Sequence, residues 1–212
     1  MDDQLRQEAE AIQNLELDVQ LWETLAHMSP QAVSQRALAS YDRGLSSYSI
    51  QVLSEAFEVS PKDRIIRKVA EPTAKLSIES RLLILQYLTH ARDLSLARKW
   101  VSEKELKNGE MFFRGVHSLD IFRKHLEERF GHSPDRLLAV GRSFGGIKAN
   151  LGDVGIQFRV LPRIPLLYVL WAGDDEFPAK ANILFDPTIE SHLALDTIWG
   201  MVRVVTFRLL DL

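Results

Sequence analysis

Apolar residues recur with a helical period at the start of the chain. Ser29-Pro30 follows this first stretch and supplies an N-cap and a first-turn proline for a second helix over residues 31–39. The two stretches together predict a helical hairpin within residues 2–40. The predicted buried face of the first helix consists of residues at three- and four-residue spacings: Leu15, Val19, Trp22, Leu25 and Ala26.

The period changes from helical to alternating after Gly44. Tyr48, Ile50 and Val52 alternate with polar residues, and a second apolar group lies around Phe57. A turn at residues 60–63 separates this group from a third short apolar run over residues 65–69. Short alternating segments joined by turns predict an antiparallel meander.

The remaining chain mixes capped helices with short strands. Ser77 precedes a helix over about residues 78–92 whose apolar residues cover most of its circumference, which predicts a central, buried position. Further helices are predicted over residues 118–130, from 134 to near 141, and 196–209, and strands over residues 157–161, 164–171 and 182–185. The predicted fold class is α+β, with an N-terminal helical hairpin, antiparallel strands packed with central helices, and a C-terminal helix. The predicted segments are a helical N-terminal part, residues 1–43, and an α+β core domain, residues 44–212.

Composition and charge narrow the classes of function. The formal net charge is −3 with both signs interspersed, so no basic face indicates nucleic-acid binding. No apolar window approaches the roughly 18 residues that a membrane span requires. The acidic, polar N-terminus does not resemble a secretory signal, and we therefore expect a cytoplasmic protein. The chain has no cysteine, which excludes disulfides, thiolate metal sites and a cysteine nucleophile within it.

Residues 161–187 contain the strongest candidate chemistry. Arg163 lies between Pro162 and Pro165, which restrict its backbone, so its guanidinium is suited to bind a carboxylate or phosphate. The apolar run from Leu166 to Trp171 predicts a strand buried on both faces. An internal pair between Arg163 and a carboxylate of the following acidic loop, Asp174 or Glu176, is the favoured alternative to a ligand clamp.

The acidic loop at residues 174–176 has two interpretations. Two of its carboxylates, together with Asp153 or Asp186, would offer the oxygen ligands that Mg²⁺ or Ca²⁺ prefers. The favoured interpretation is an acidic turn in which Asp174 accepts backbone amide hydrogen bonds and Glu176 pairs with Arg163. No zinc-protease spacing and no phosphate-binding glycine loop is present, so the glycine pairs near residues 145 and 152 predict turns.

Three motifs in this half of the chain resemble those of a known family. They are Leu161-Pro162-Arg163-Ile164-Pro165, Gly173-Asp174-x-Glu176-Phe177-Pro178 after Trp171, and Ile183-Leu184-Phe185-Asp186. The chain is similar over about residues 46–197 to an uncharacterised prokaryotic family, domain-of-unknown-function family 3786. Members occur largely in anaerobic bacteria and archaea, and some are fused to iron–sulfur domains or encoded near corrinoid and one-carbon metabolism proteins. The resemblance places Arg163, Asp153, Asp174, Glu176 and Asp186 on the motif as candidate ligand-binding residues, and it assigns no cofactor.

Three functions are compatible with these observations. The favoured one is a non-catalytic accessory or ligand-binding module, linked to redox, corrinoid or one-carbon enzymes or binding a small anionic ligand. The second is a divalent-cation-dependent hydrolase or lyase that uses the Asp174 and Glu176 carboxylates. The third is a structural subunit that forms a homodimer through the N-terminal helices. The segment Met111-Phe112-Phe113-Arg114 is either core or the exposed lip of a pocket.

Overall fold

The computed structural model describes the backbone of residues 2–210 and the side chains of residues 13–210. Met1, where the predicted N-terminal segment begins, and residues 211–212, where the predicted core domain ends, lie outside the described residues. The helices are α1 (Asp2–His27), α2 (Pro30–Ala37), α3 (Ile78–His90), α4 (Gly109–Phe112), α5 (Asp120–Phe130), α6 (Pro134–Arg142) and α7 (Leu195–Leu210). The strands are β1 (Ser40–Asp42), β2 (Ser47–Val52), β3 (Glu55–Ser60), β4 (Ile65–Lys68), β5 (Ile147–Ala149), β6 (Val154–Leu161), β7 (Ile164–Trp171) and β8 (Lys180–Phe185). These elements confirm the predicted α+β class.

The strands form two antiparallel sheets of four strands each, with neighbours in chain order. Sheet A contains β1 to β4 and confirms the predicted meander, although β1 was not expected. The predicted boundary after residue 43 lies in the turn between β1 and β2, so sheet A includes residues of both predicted segments. Sheet B contains β5 to β8, and the N–H of Leu53, in the turn between β2 and β3, donates to the carbonyl of Val160 in β6 at 2.9 Å.

The centre of the core lies between sheet B and helices α3 and α7. Residues 164–170 of β7 are all buried, as the apolar run predicts, whereas Trp171 at its end is 39% exposed. Tyr168 points toward α7, where its hydroxyl lies 2.9 Å from Oγ1 of Thr206. Helix α3 is buried from Leu82 to Thr89, which confirms its predicted central position. The described helices include none that is long and apolar enough to cross a membrane.

Helix α1 packs on α3 of the same chain, and its buried face matches the predicted one only in part. Leu21, Trp22 and Leu25 are buried, whereas Leu15 and Val19 are 61% and 44% exposed. Ala26, the last residue of the predicted face, is also exposed. The buried face runs from Asp18 through Leu21 to Leu25, and Asp18 accepts two hydrogen bonds from Nη2 of Arg81 on α3 at 3.0 and 3.1 Å. This pairing compensates for the burial of the Asp18 carboxylate, which is 9% exposed. The described part of α1 is therefore not a hairpin arm extended away from the body.

Candidate functional site

The five predicted site residues lie at opposite ends of sheet B. Arg163 precedes β7 and Asp186 follows β8, so the antiparallel pairing brings these two to one end. Asp153 precedes β6 and the acidic loop follows β7, so Asp153, Asp174 and Glu176 lie at the other end. A strand of this length spans about 25 Å. One ligand site therefore does not contain all five residues.

Arg163 makes hydrogen bonds inside the protein, and the predicted pairing with Asp174 or Glu176 is wrong. Its Nε donates to the carbonyl of Arg36 at 2.7 Å, Nη1 donates to the carbonyl of Leu94 at 3.1 Å, and Nη2 lies 2.5 Å from Asp93. The side chain is only 13% exposed. The length of β7 separates Arg163 from the acidic loop, so the carboxylates within reach belong to other segments.

Asp186 is 2% exposed and binds main-chain amides rather than a ligand. Its Oδ2 accepts from the N–H of Arg98 at 2.7 Å, and its Oδ1 accepts from the N–H of Ala97 at 3.2 Å. Oδ1 also accepts from the hydroxyl of Thr188 at 2.7 Å and from its N–H at 3.0 Å. Burial by itself raises the pKa of Asp186, but these donors outweigh it and hold the pKa below its usual value.

His192 completes a set of contacts around residues 92–98, which form neither helix nor strand. The N–H of Arg92 donates to Nδ1 of His192 at 3.2 Å. Burial lowers the pKa of His192, the charges of Arg163 and Arg92 lower it further, and Asp186 opposes them. Because Nδ1 accepts the hydrogen bond from Arg92, a neutral ring carries its proton on Nε2, which is buried and has no hydrogen-bond partner among the described residues. Arg163, Asp186 and His192 together fix residues 92–98, which is a structural role.

The acidic loop also satisfies its own backbone. Oδ1 of Asp174 accepts from the N–H groups of Phe177 and Glu176 at 2.7 and 2.9 Å, and these bonds lower the pKa of Asp174. Oδ2 of Asp153 accepts from the N–H of Ala172 at 2.8 Å. The predicted acidic turn with Asp174 as acceptor is confirmed, apart from the Glu176–Arg163 pair. Within residues 13–210, no three histidine or carboxylate side chains are grouped as metal ligands.

Replacing Arg163 with alanine is expected to lower the free energy of unfolding by about 1–2 kcal/mol. The loss is limited because Asp93, its carboxylate partner, is 56% exposed and can be hydrated when left alone. Lysine at position 163 should recover little, since an ammonium group does not reproduce the guanidinium geometry that reaches three acceptors. Urea unfolding of both variants and of Asp93→Ala measures these effects. If Asp93→Ala and Arg163→Ala lowered the free energy of unfolding equally, the hydrogen bonds from Arg163 to the carbonyls of Arg36 and Leu94 would not contribute to stability.

A cleft that the sequence did not predict lies between α1, α3, the start of α7 and residues 112–117. Its volume is about 860 Å³. A recess of about 70 Å³ adjoins it beside α7. His117, Asp196 and Asn14 border both spaces, and Trp199 and Gly200 line the recess. The other side chains lining the cleft or the recess include Gln13, Glu16, Leu17, Gln20, Glu79, Leu82, Gln86, Phe112, Val116 and Leu195.

Aromatic rings form one wall of this cleft. The ring of His117 is stacked on Phe112 with centroids 4.6 Å apart, and its edge meets Trp199 at 5.8 Å. Nε1 of Trp199 is buried and makes no hydrogen bond with the described residues. Phe112 belongs to the segment that the sequence suggested as a pocket lip, whereas the neighbouring Phe113 is buried in the core.

The charged side chains among the described lining residues are all carboxylates. Glu16 and Asp196 line the cleft, Asp196 and Glu79 line the recess, and the described lining of both contains no lysine or arginine. Glu79 forms an ion pair with Arg203, which leaves Glu16 and Asp196 without an ion-pair partner among the described residues. This arrangement favours neutral or cationic molecules over anions.

The fold and the cleft define the chain as an α+β domain with a concave, partly aromatic site. The sequence profile of a family described as "Domain of unknown function (DUF3786)" matches residues 29–208, and the chain belongs to this family. Neither a curated protein nor a solved structure matches the chain.

Proposed function

We propose that the protein is a non-catalytic binding module whose cleft holds a small neutral or cationic organic molecule. The observation that carries this proposal is the cleft itself, where Phe112 and His117 meet convergent polar side chains from α1, α3 and α7. Its volume of about 860 Å³ lies within the usual range of small-molecule sites. An aromatic wall beside carboxylates that have no ion-pair partner within residues 13–210 suits a flat ring or an organic cation.

The arrangement of the carboxylates favours this proposal over a cation-dependent hydrolase or lyase. Both oxygens of Asp186 and one oxygen each of Asp153 and Asp174 accept main-chain hydrogen bonds, and Asp186 lies at the opposite end of sheet B from the other two. The sign of charge in the cleft also favours a revision of the expected ligand, from a small anion to a neutral or cationic compound.

We propose an accessory role in the cytoplasm of a prokaryote, in support of redox, corrinoid or one-carbon enzymes. This part of the proposal is supported by the family resemblance, and because residues 1–212 contain no cysteine, they supply no thiolate ligand to an iron–sulfur cluster. The exposed Leu15 and Val19 of α1 are the residues we propose for a protein contact, either with such a partner or with a second copy.

Thermal melting against a ligand panel tests the proposed function. The panel contains aromatic amines, nucleosides and corrinoids, with phosphates and divalent cations as comparison sets. A ligand at a hundred times its dissociation constant should stabilise the protein by about 2.7 kcal/mol. We expect Gly200→Ala, which narrows the recess, and His117→Ala, which removes part of the aromatic wall, to reduce the shift in melting temperature.

Control variants distinguish a ligand site in the cleft from a ligand site at the acidic loop. The methyl group of Gly200→Ala would meet only Cβ and Cγ of Glu79, at 3.5 and 3.6 Å, so we expect this variant to fold normally. Asp174→Asn should leave the ligand-induced shift unchanged. A shift that disappears in Asp174→Asn and persists in Gly200→Ala and His117→Ala would place the site at the acidic loop and contradict the proposal.

A further inference from the structure

A second cavity lies on the other side of α3, between sheet A, α3, α7 and residues 74–77. Its volume is about 300 Å³, and we call it the sheet A cavity. Its inner wall is apolar and buried, with Phe57 from β3, Leu83 and Ile84 from α3, and Val205 from α7. It shares no lining residue with the cleft, so nothing inferred from it depends on the proposed function.

Charged side chains border this apolar space at one side. Arg208, Lys68 and Lys75 line it together with a single carboxylate, Glu55. Both oxygens of Glu55 are engaged by Arg208, at 2.7 and 2.9 Å, and Lys68 lies 2.9 Å from Oε1. The Arg208 hydrogen bonds are the main cause that lowers the pKa of Glu55 to about 2, so this carboxylate stays ionised and paired.

The remaining charge at the border is positive. Lys68 has a second carboxylate partner, Glu71, at 3.4 Å. Lys75 makes no ion pair within the described part of the chain and is exposed, so its ammonium group can move toward a bound molecule. Three cations therefore face two carboxylates here, and the excess favours an anionic group.

We propose that the sheet A cavity binds a small amphiphile, an aliphatic chain ending in a carboxylate, with the chain against Phe57, Leu83 and Val205 and the carboxylate at Lys75. The size of the cavity sets the length of the chain. If each non-hydrogen atom takes the volume of about 30 Å³ that a water molecule occupies in the liquid, the cavity corresponds to about ten such atoms. Octanoate has this size.

Isothermal titration calorimetry of the full chain with octanoate tests this proposal, with butanoate, hexanoate and octanol as comparison ligands. Each CH₂ group removed from the chain should weaken binding about fourfold, because it leaves less apolar surface buried. Octanol should bind about tenfold more weakly than octanoate, because a charge-assisted contact with Lys75 is worth about a factor of ten. Equal affinity for octanol and octanoate, or no dependence on chain length, would overturn the proposal.

Three variants test whether octanoate binds in the sheet A cavity. Val204→Phe fills the cavity from α7 with an apolar ring and should weaken octanoate binding at least tenfold. Lys75→Gln changes an exposed side chain, which does not endanger folding, and should weaken octanoate several-fold while leaving octanol unchanged. Leu195→Phe, in the cleft, is the matched control and should bind octanoate like the wild type. Weakened binding in Leu195→Phe with normal binding in Lys75→Gln would assign octanoate to the cleft and overturn the proposal.

Discussion

Replacing Asp186 with alanine is expected to lower the free energy of unfolding by about 2–4 kcal/mol. The carboxylate is 2% exposed and accepts hydrogen bonds from three main-chain amides and one hydroxyl. Its loss would release the Ala97 and Arg98 amides and leave a cavity beside β8. Residues 97 and 98 are exposed, so their amides would be hydrated, which keeps the cost below that of an unsatisfied buried donor.

Urea unfolding and amide hydrogen exchange measure this effect together. Exchange at Ala97 and Arg98 should accelerate in Asp186→Ala, whereas exchange in the centre of β7 should change only with global stability. Asp186→Asn is the matched control, because it keeps the shape and one acceptor oxygen and should lose less than alanine. If exchange at residues 97 and 98 stays as slow as in the wild type, Asp186 does not hold this segment.

The pKa of Asp186 gives this prediction a pH dependence. The folded-state pKa lies below the usual aspartate value of about 3.9, so the unfolded chain binds the proton more readily. The stabilisation by Asp186 is therefore fully present above about pH 4 and is lost as the pH falls through the folded-state pKa. The difference in stability between wild type and Asp186→Ala should be constant between pH 5 and 7 and should shrink in stronger acid.

Local sequence signals predicted most of the fold. Ser77 caps α3 through the N–H of Ser80 at 3.2 Å, and the N–H of Ser102 donates to Glu105 at 2.8 Å in a capping box, which the Ser102-x-x-Glu105 spacing indicates. The alternation of apolar and polar residues predicts β2, and the continuous apolar run predicts β7. These features were predictable because each depends on residues that are close along the chain.

The pairing of Arg163 with the acidic loop was predicted wrongly, although the sequence contained the argument against it. A strand between these two groups keeps them at opposite ends of a sheet. The residues that Arg163 and Asp186 contact lie far from them in the sequence: Arg163 and Asp93 are 70 residues apart, and Asp186 and Arg98 are 88 residues apart. Long-range pairs of this kind follow from the packing of whole elements, which the sequence pattern does not specify.

The cleft escaped prediction for a related reason. Four segments that are distant in the sequence line it, and each lining residue also has an ordinary role in its own helix or turn. The only local signal was the apolar segment around Phe112. Helix α1 forms one wall, and its contact with α3 includes the ion pair between Asp18 and Arg81. A count of apolar spacings treats Asp18 as a solvent-facing residue.

Replacing Trp22 with alanine is expected to lower the free energy of unfolding by about 3–5 kcal/mol. The indole is 1% exposed and lies in the same buried cluster as Leu25 and Val33. Truncation to alanine therefore leaves a cavity between α1 and the rest of this cluster. Trp22→Phe should cost much less, because Nε1 of Trp22 is buried without a hydrogen-bond partner among the described residues, and phenylalanine removes that donor.

Val19→Ala on the same helix separates packing within the chain from association between chains. Val19 is 44% exposed, so this substitution should change stability by less than about 0.5 kcal/mol if α1 packs only on its own body. Urea unfolding gives the stabilities, and sedimentation velocity gives the mass of each variant. A large loss in Trp22→Ala at unchanged mass, with a silent Val19→Ala, would show that α1 acts as an internal element. The opposite outcome is a wild type that is dimeric, a Val19→Ala variant that is monomeric, and a Trp22→Ala variant that is fully stable. That outcome would assign α1 to an interface between chains, because the face with Val19, and not the face with Trp22, would then provide the stabilising burial.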